Sequence, residues 1–301
     1  MEHDPWSVEN LVRAALKRTK ERFLSYFLTY VASSILFIVV FAAGVILSTM
    51  INILYVRTKS VLLVGILGTP TAIGFFVALI YVSAWSQLAV IHSLMLNEKK
   101  DLGALFKEVK PATGGYIWLS IVTTLFMFGL IPWGLMTLFI VLILWAYWSI
   151  FSTFVYLEQR RRGLENLWIS RQMIDERFIG IAGRMLLIHG SIFFMMIALG
   201  WSDNAFLRLL SGIVNILFVP FSISFSYEIY RLLKIPTEVK KPTVWIAFSA
   251  IGFVLFIVMC TLLITVFSQN FAQIMEVIIK MIRADQLPRT PAVNLTPYPS
   301  M

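Results

Sequence analysis

The chain has 301 residues, a mean hydropathy of +0.83, 59% hydrophobic and 14% charged residues, and a formal net charge of +9. A soluble domain carries about a quarter charged residues, so this composition excludes an ordinary soluble enzyme and predicts an all-α, polytopic membrane protein. The lone Cys260 excludes an internal disulfide, and the basic residues border apolar runs, so the positive charge points to anionic lipid headgroups and not to nucleic acid.

The N-terminal segment MEHDPWSVENLVRAALKRTKERF is long, mixed in charge and lacks a cleavage signal, which predicts a retained first span and not a secretory leader. Span one is expected at 24–50. A second apolar run, 62–94, exceeds one straight crossing, and GTPT at 68–71 is expected to break it, leaving 71–94 in the membrane. Span three is placed at 114–131, a tight turn at IPWG 131–134, span four at 135–157, span five at 178–200, a polar break at WSDN 201–204, span six at 206–231 and span seven at 243–267. Each is near the roughly 20 residues that cross an apolar layer. The segment 271–284 is amphipathic and suits an interface, and 285–301 is expected to be a flexible tail rich in proline and polar residues.

Loop charge gives the orientation. One set of loops holds Arg13, Lys17, Arg18, Lys20, Arg22, Lys99, Lys100, Lys107, Lys110, Arg160, Arg161, Arg162, Arg171, Arg177, Arg231, Lys234, Lys240 and Lys241; the opposite set holds mainly Arg57, Lys59 and Arg208. The positive-inside rule puts the first set, and the N-terminus, in the cytoplasm, in a multi-pass protein of a bacterial inner membrane.

A unit recurs along the chain. Residues 8–27 and 163–182 both contain Glu-Asn-Leu (9–11, 165–167) and later Glu-Arg-Phe (21–23, 176–178); 101–120 keeps Leu102 and Leu105 against Leu164 and Leu167. Each copy precedes an outgoing and a returning span. The expected architecture is three repeats of a short interfacial helix plus a helical hairpin, at about 8–100, 101–162 and 163–234, within an integral domain 1–284. In the third copy Leu164, Leu167, Trp168, Arg171, Ile174 and Phe178 follow steps of three or four, as a helix on a membrane surface does, with arginines reaching toward phosphate.

The stretch 151–188 resembles the membrane-domain proteins of bacterial glycerophosphoryl diester phosphodiesterases and a related multi-spanning family. There a returning span is followed by an element of the form gl-x-A-L-x-x-S-x-x-L-x-x-x-x-F. Gly163, Leu164, Leu167, Ser170, Ile174 and Phe178 match that outline, and Asn166 departs from its usual small residue. The resemblance covers about 101–235 and implies a membrane domain without catalysis, since in full phosphodiesterases the chemistry belongs to a separate soluble barrel.

No catalytic constellation stands out. His3, His92 and His189 lack an H-E-x-x-H context, no phosphate-binding P-loop occurs, and no cysteine pair suits zinc, so no cofactor or metal is expected. Ser83, Ser86 and Ser191 accompany His189 without a pattern that marks a nucleophile. The candidate lipid- or partner-binding residues are Arg160, Arg161, Arg162, Trp168, Arg171, Arg177 and Arg184. Gln87, His189, Asn215 and Glu228 are candidates for an intramembrane polar path. The expected function is a non-enzymatic membrane protein that organises lipids or a membrane-protein complex through cytoplasmic interfacial helices. The alternative is a transporter or channel for a small solute or lipid, for which Pro220 and GTPT are the candidate helix breaks.

Overall fold

In a computed structural model, the described residues are 4–286 except 99, 138, 139, 162, 176, 202, 203 and 237; the side chains at 63, 205, 208, 209, 213, 215, 266, 267 and 269–286 also lie outside the description. The described chain is helical, with no strand among those residues. Its helices are α1 (Val8–Thr58), α2 (Val61–Met95), α3 (Leu102–Met136), α4 (Ile140–Ile150), α5 (Ser152–Gln159), α6 (Glu165–Asp175), α7 (Phe178–Met185), α8 (Ser191–Gly200), α9 (Ala205–Leu232) and α10 (Thr243–Gln286), with a π-helical turn at Leu186–Gly190 joining α7 to α8. Among the described residues, seven segments are long and apolar enough to cross a membrane: α1, α2, α3, α4 with α5, α7 through α8, α9 and α10.

The expected breaks differ from those found. GTPT does not interrupt span two, because α2 runs through Pro70, and α3 runs through Pro111 and Pro132 to Met136, past IPWG. Apolar surroundings strengthen the remaining backbone hydrogen bonds, so a proline that would end an exposed helix is carried within one. The segment 271–284 continues α10 as helical backbone, and 287–301 lies outside the described residues.

Two of the three expected short helices are not separate. Residues 8–22 form the first turns of the 51-residue α1, and 102–112 form the start of α3. At ~1.5 Å per residue α1 is about 76 Å long, against an apolar layer of roughly 30 Å, so its basic N-terminal turns extend beyond that layer along the helix axis. The third copy is separate. Arg160 (φ 54°) and Gly163 (φ 54°) both adopt left-handed backbone, which ends α5 and reverses the chain into α6. Corresponding positions still share an environment. Leu11, Leu105 and Leu167 are all buried. Glu9 and Glu165 each stand in a first helical turn, and the side-chain amides of Asn10 and Asn166 donate back to the carbonyls of Asp4 and Arg161, each at 2.9 Å.

Packing is concentrated at the end holding the N-terminus of α1. The main core joins Leu11 and Ala15, Leu88 and Ala89, Val109 and Ala112, Phe151 to Leu157, Ile169 and Ile174, Ile181 and Met185, and Phe225, Ile229 and Tyr230. These are the ends of α2, α5 and α9, the starts of α1, α3 and α7, and α6. Toward the other end large apolar residues such as Ile38, Ile46, Ile66, Phe76, Phe194 and Leu263 are exposed, as lipid-facing residues are. α10 is held to α3 by a small-residue contact. Gly129 and Gly252 let the backbones meet, since a Cβ on Gly129 would collide with the Ser249 carbonyl and one on Gly252 with the Gly129 carbonyl. Trp133 Nε1 donates to the Phe248 carbonyl (2.9 Å) and Ser249 Oγ to the Phe126 carbonyl (3.0 Å).

Candidate functional site: basic grooves at the packed end

α6 does not lie flat on a surface. It turns back along α5 toward α4, Ser170 Oγ donates to the Trp148 carbonyl, and Asn166 to Ser170, Met173 and Ile174 are buried. Trp168, expected to meet lipid or a partner, is 3% exposed and packs edge-to-face on Phe126 of α3 at 5.2 Å. This corrects its assignment: α6 is surrounded by protein, and the indole is core.

The arginines divide by surroundings. Arg160 and Arg161 are exposed and line one groove of about 530 Å³ with Trp118, Tyr156, Pro111 and Gly163. Its wall is fixed by Tyr156, whose hydroxyl donates to the Ala112 carbonyl at 2.5 Å. The Arg160 guanidinium stands 6.0 Å from the Tyr156 ring, and Arg161 Nε donates to Gln159 Oε1 at 3.0 Å. Glu165 borders the outer side of the two arginines, yet neither arginine forms an ion pair among the described residues. Trp118 is 56% exposed at the mouth. Arg160 holds positive φ without being glycine, a strained backbone of the sort that functional sites accumulate. Arg162 lies outside the described residues.

Arg177 and Arg184 meet at a second groove, about 710 Å³, with Trp6, Phe178 and Gly180. Arg184 Nε donates to the Trp6 carbonyl and Nη1 to the Gly180 carbonyl, both at 2.7 Å, while Arg177 stacks over the Trp6 ring at 4.6 Å. Arg184 therefore pins the N-terminal segment to α7. Asp4 and Asp175 also line this groove, so its charge is mixed. Burial raises the Asp175 pKa by disfavouring its charge, and Arg171 opposes that shift. Arg171 lies 5.0 Å over the Trp148 ring and 3.3 Å from Asp175 Oδ2, and it does not line the first groove. The structure thus brings together Arg160 with Arg161, and Arg177 with Arg184, and leaves Trp168 and Arg171 packed on neighbouring aromatic residues.

The polar candidates inside the spans do not join. Gln87 is exposed. His189 sits in the π-helical turn, with Nδ1 3.1 Å from the Met185 carbonyl and Nε2 2.6 Å from Ser222 Oγ. A carbonyl only accepts, so Nδ1 carries the proton and Nε2 accepts from Ser222. The pair clamps α9 to the α7–α8 segment, and neither residue lines the two grooves above. The Asn215 side chain lies outside the described residues. Glu228 is bound by Arg18 at 2.5 Å and Arg231 at 3.2 Å, and no hydrogen bond or ion pair links it to Gln87 or His189 among the described residues. No cluster of three metal-ligating side chains occurs there either.

Three residues gained weight only with the structure. Arg18 and Arg22, read in the sequence as topology charges, are both turned into the bundle, and Glu158 accepts from the Tyr230 hydroxyl at 2.7 Å. One signal was present: Leu11, Ala15, Arg22 and Tyr26 fall on a single helical stripe. Comparison with protein-family models, curated proteins and solved structures finds no match to this chain, so the phosphodiesterase membrane-domain likeness rests on the residues of 151–188 alone.

Proposed function

We propose that this protein is a non-enzymatic organiser of anionic lipid, and of membrane proteins assembled through that lipid, with its packed basic end on the cytoplasmic face of a bacterial inner membrane. The observation that carries the reading is the Arg160–Arg161 groove: two exposed guanidinium groups without a carboxylate partner, beside an exposed tryptophan. Guanidinium forks suit phosphate oxygens, and tryptophan suits the headgroup layer, so the pair matches an anionic phospholipid held at the membrane surface.

Other observations favour the same reading. The positive-inside pattern assigns the basic loops to the cytoplasm. The shared burial of Leu11, Leu105 and Leu167, and the matching amide contacts of Asn10 and Asn166, support three diverged copies of one unit. The likeness to phosphodiesterase membrane domains, which work apart from a catalytic barrel, agrees with a lipid-facing role without chemistry. The transport alternative draws less support, since Gln87 is exposed and Glu228 is engaged by two arginines.

The test is anionic lipid retention by native mass spectrometry in mild uncharged detergent. Arg160→Gln with Arg161→Gln should lower the number of retained phosphatidylglycerol molecules while folding is kept; equal retention by the wild type and the variant would sink the reading.

A further inference from the structure

Arg22 is 7% exposed, its Nη1 is buried without a hydrogen-bond partner, and it forms no ion pair among the described residues. An arginine cannot shed its charge by losing a proton, and a buried charge without a counter-charge is strongly unfavourable. The nearest carboxylate in register does not answer it. Glu228 is engaged by Arg18 through Oε1 and by Arg231 through Oε2. Arg18 also donates to the Leu94 and Met95 carbonyls at the end of α2 (3.1 and 3.4 Å) and stacks on Tyr227 at 4.8 Å. Both oxygens of Glu228 are thus taken by other arginines, and Glu158, the other carboxylate near Tyr227 and Tyr230, has no contact with Arg22 among the described residues.

Helix geometry places further groups beside Arg22. It stands one turn beyond Arg18 on the same face of α1. Ser224 stands one turn before Glu228 on the same face of α9, which crosses in the opposite direction, so Arg22 and Ser224 fall at one level. Ser224 Oγ is buried and unpartnered, as is Thr19 Oγ1 on the Arg22 side of α1. Other hydroxyls in these helices, such as Thr29 to Ser25 and Ser226 to Ser222, bond the carbonyl four residues back; Thr19 and Ser224 do not, nor does Ser33 farther along α1. Two hydroxyl donors and a guanidinium are therefore gathered without an acceptor.

We infer that Arg22, Thr19 and Ser224 form an internal anion site for a phosphate group. The level along α1 is that of a lipid headgroup, since Phe23 begins the apolar run. A phosphate ester from a lipid and free phosphate share the required chemistry, a compact anion with several acceptor oxygens. The site is separate from the Arg160–Arg161 groove and does not depend on it.

The experiment follows thermal unfolding of the full chain in uncharged detergent, alone, with phosphatidylglycerol in mixed micelles, and with inorganic phosphate. The wild type should gain Tm with at least one anion, because a ligand of the folded state stabilises it. Arg22→Met should start at a higher Tm than the wild type without anion, because an uncompensated charge has been replaced by apolar volume, and should lose about half or more of the anion-induced rise. A rise with phosphatidylglycerol alone assigns the site to a lipid; an equal rise with inorganic phosphate assigns it to the free anion. If Arg22→Met does not yield a monodisperse protein, Thr19→Val with Ser224→Ala is read in the same way. No rise in the wild type with either anion, or a full rise in the variant, overturns the inference. Arg160→Gln with Arg161→Gln, run in parallel, separates the two sites: loss of the rise only in that variant places the lipid in the surface groove and removes Arg22 from recognition.

Discussion

Arg18 and Glu228 meet at 2.5 Å across 210 residues of sequence, with side chains only 10% and 12% exposed. The contact fixes the start of α1 against the end of α9, and through the Leu94 and Met95 carbonyls it also caps α2. Removing one member leaves the other buried and charged. Glu228→Gln is expected to destabilise the protein by about 3–5 kcal/mol, whereas Arg18→Met with Glu228→Met should recover most of that loss. Thermal or denaturant unfolding in detergent measures both; a double variant no better than the single one would refute a compensating pair.

Gly129 and Gly252 allow α3 and α10 to touch backbone to backbone. Gly129→Val should cost about 1–3 kcal/mol through overpacking, or release α10 from the bundle. The readout is protease sensitivity of the loop before α10 together with the unfolding midpoint. Gly212→Val, at a position where an added Cβ meets nothing within 4 Å, should be milder and serves as the control.

Asp175 is the titrating group outside the spans with a clear shift. Burial raises its folded pKa above the unfolded value of about 3.9, so the fold favours the neutral acid. Its contribution to stability is therefore fully present below the unfolded pKa and is lost as the pH rises through the raised folded value. Asp175→Asn should match the wild type in acid and become the more stable of the two as the pH approaches neutrality. A variant that instead weakens with rising pH would show that the Arg171 contact outweighs desolvation.

The 2.6 Å contact between His189 and Ser222 has the geometry of a base beside a hydroxyl, and a non-enzymatic protein should not use it chemically. A fluorophosphonate probe is expected to leave Ser222 unlabelled, and Ser222→Ala to lower stability by roughly 0.6 kcal/mol, as a membrane interhelical hydrogen bond does. Labelling that disappears in Ser222→Ala would overturn the non-enzymatic reading.

Topology is checked by accessibility after Cys260→Ser. Single cysteines at Pro5, Lys100 and Glu238 should react from the cytoplasmic side and those at Thr58 and Asn204 from the other. An exchange of any one between the sides would break the seven-span arrangement.

Length and hydropathy by themselves determined that the described chain holds seven helical segments of spanning length, because an apolar segment of about 20 residues leaves the backbone no satisfied alternative to a helix in lipid. The sequence also marked Arg160 and Arg161, since a basic run after an apolar one is visible in one dimension. Tertiary structure decided where each helix stops and what its faces meet. Pro70 and Pro132 read as breaks but are carried inside α2 and α3, because proline's effect depends on the packing around it. Residues 8–22 and 163–175 read alike, yet the first continues straight into α1 and the second is folded back by left-handed backbone at Arg160 and Gly163. Trp168 went to the core, Glu228 into an ion pair, and Arg22 into a seam without an acceptor. A helical pattern fixes which side chains share a face; only the neighbouring helices, brought from elsewhere in the chain, fix whether that face meets lipid, protein or a charge.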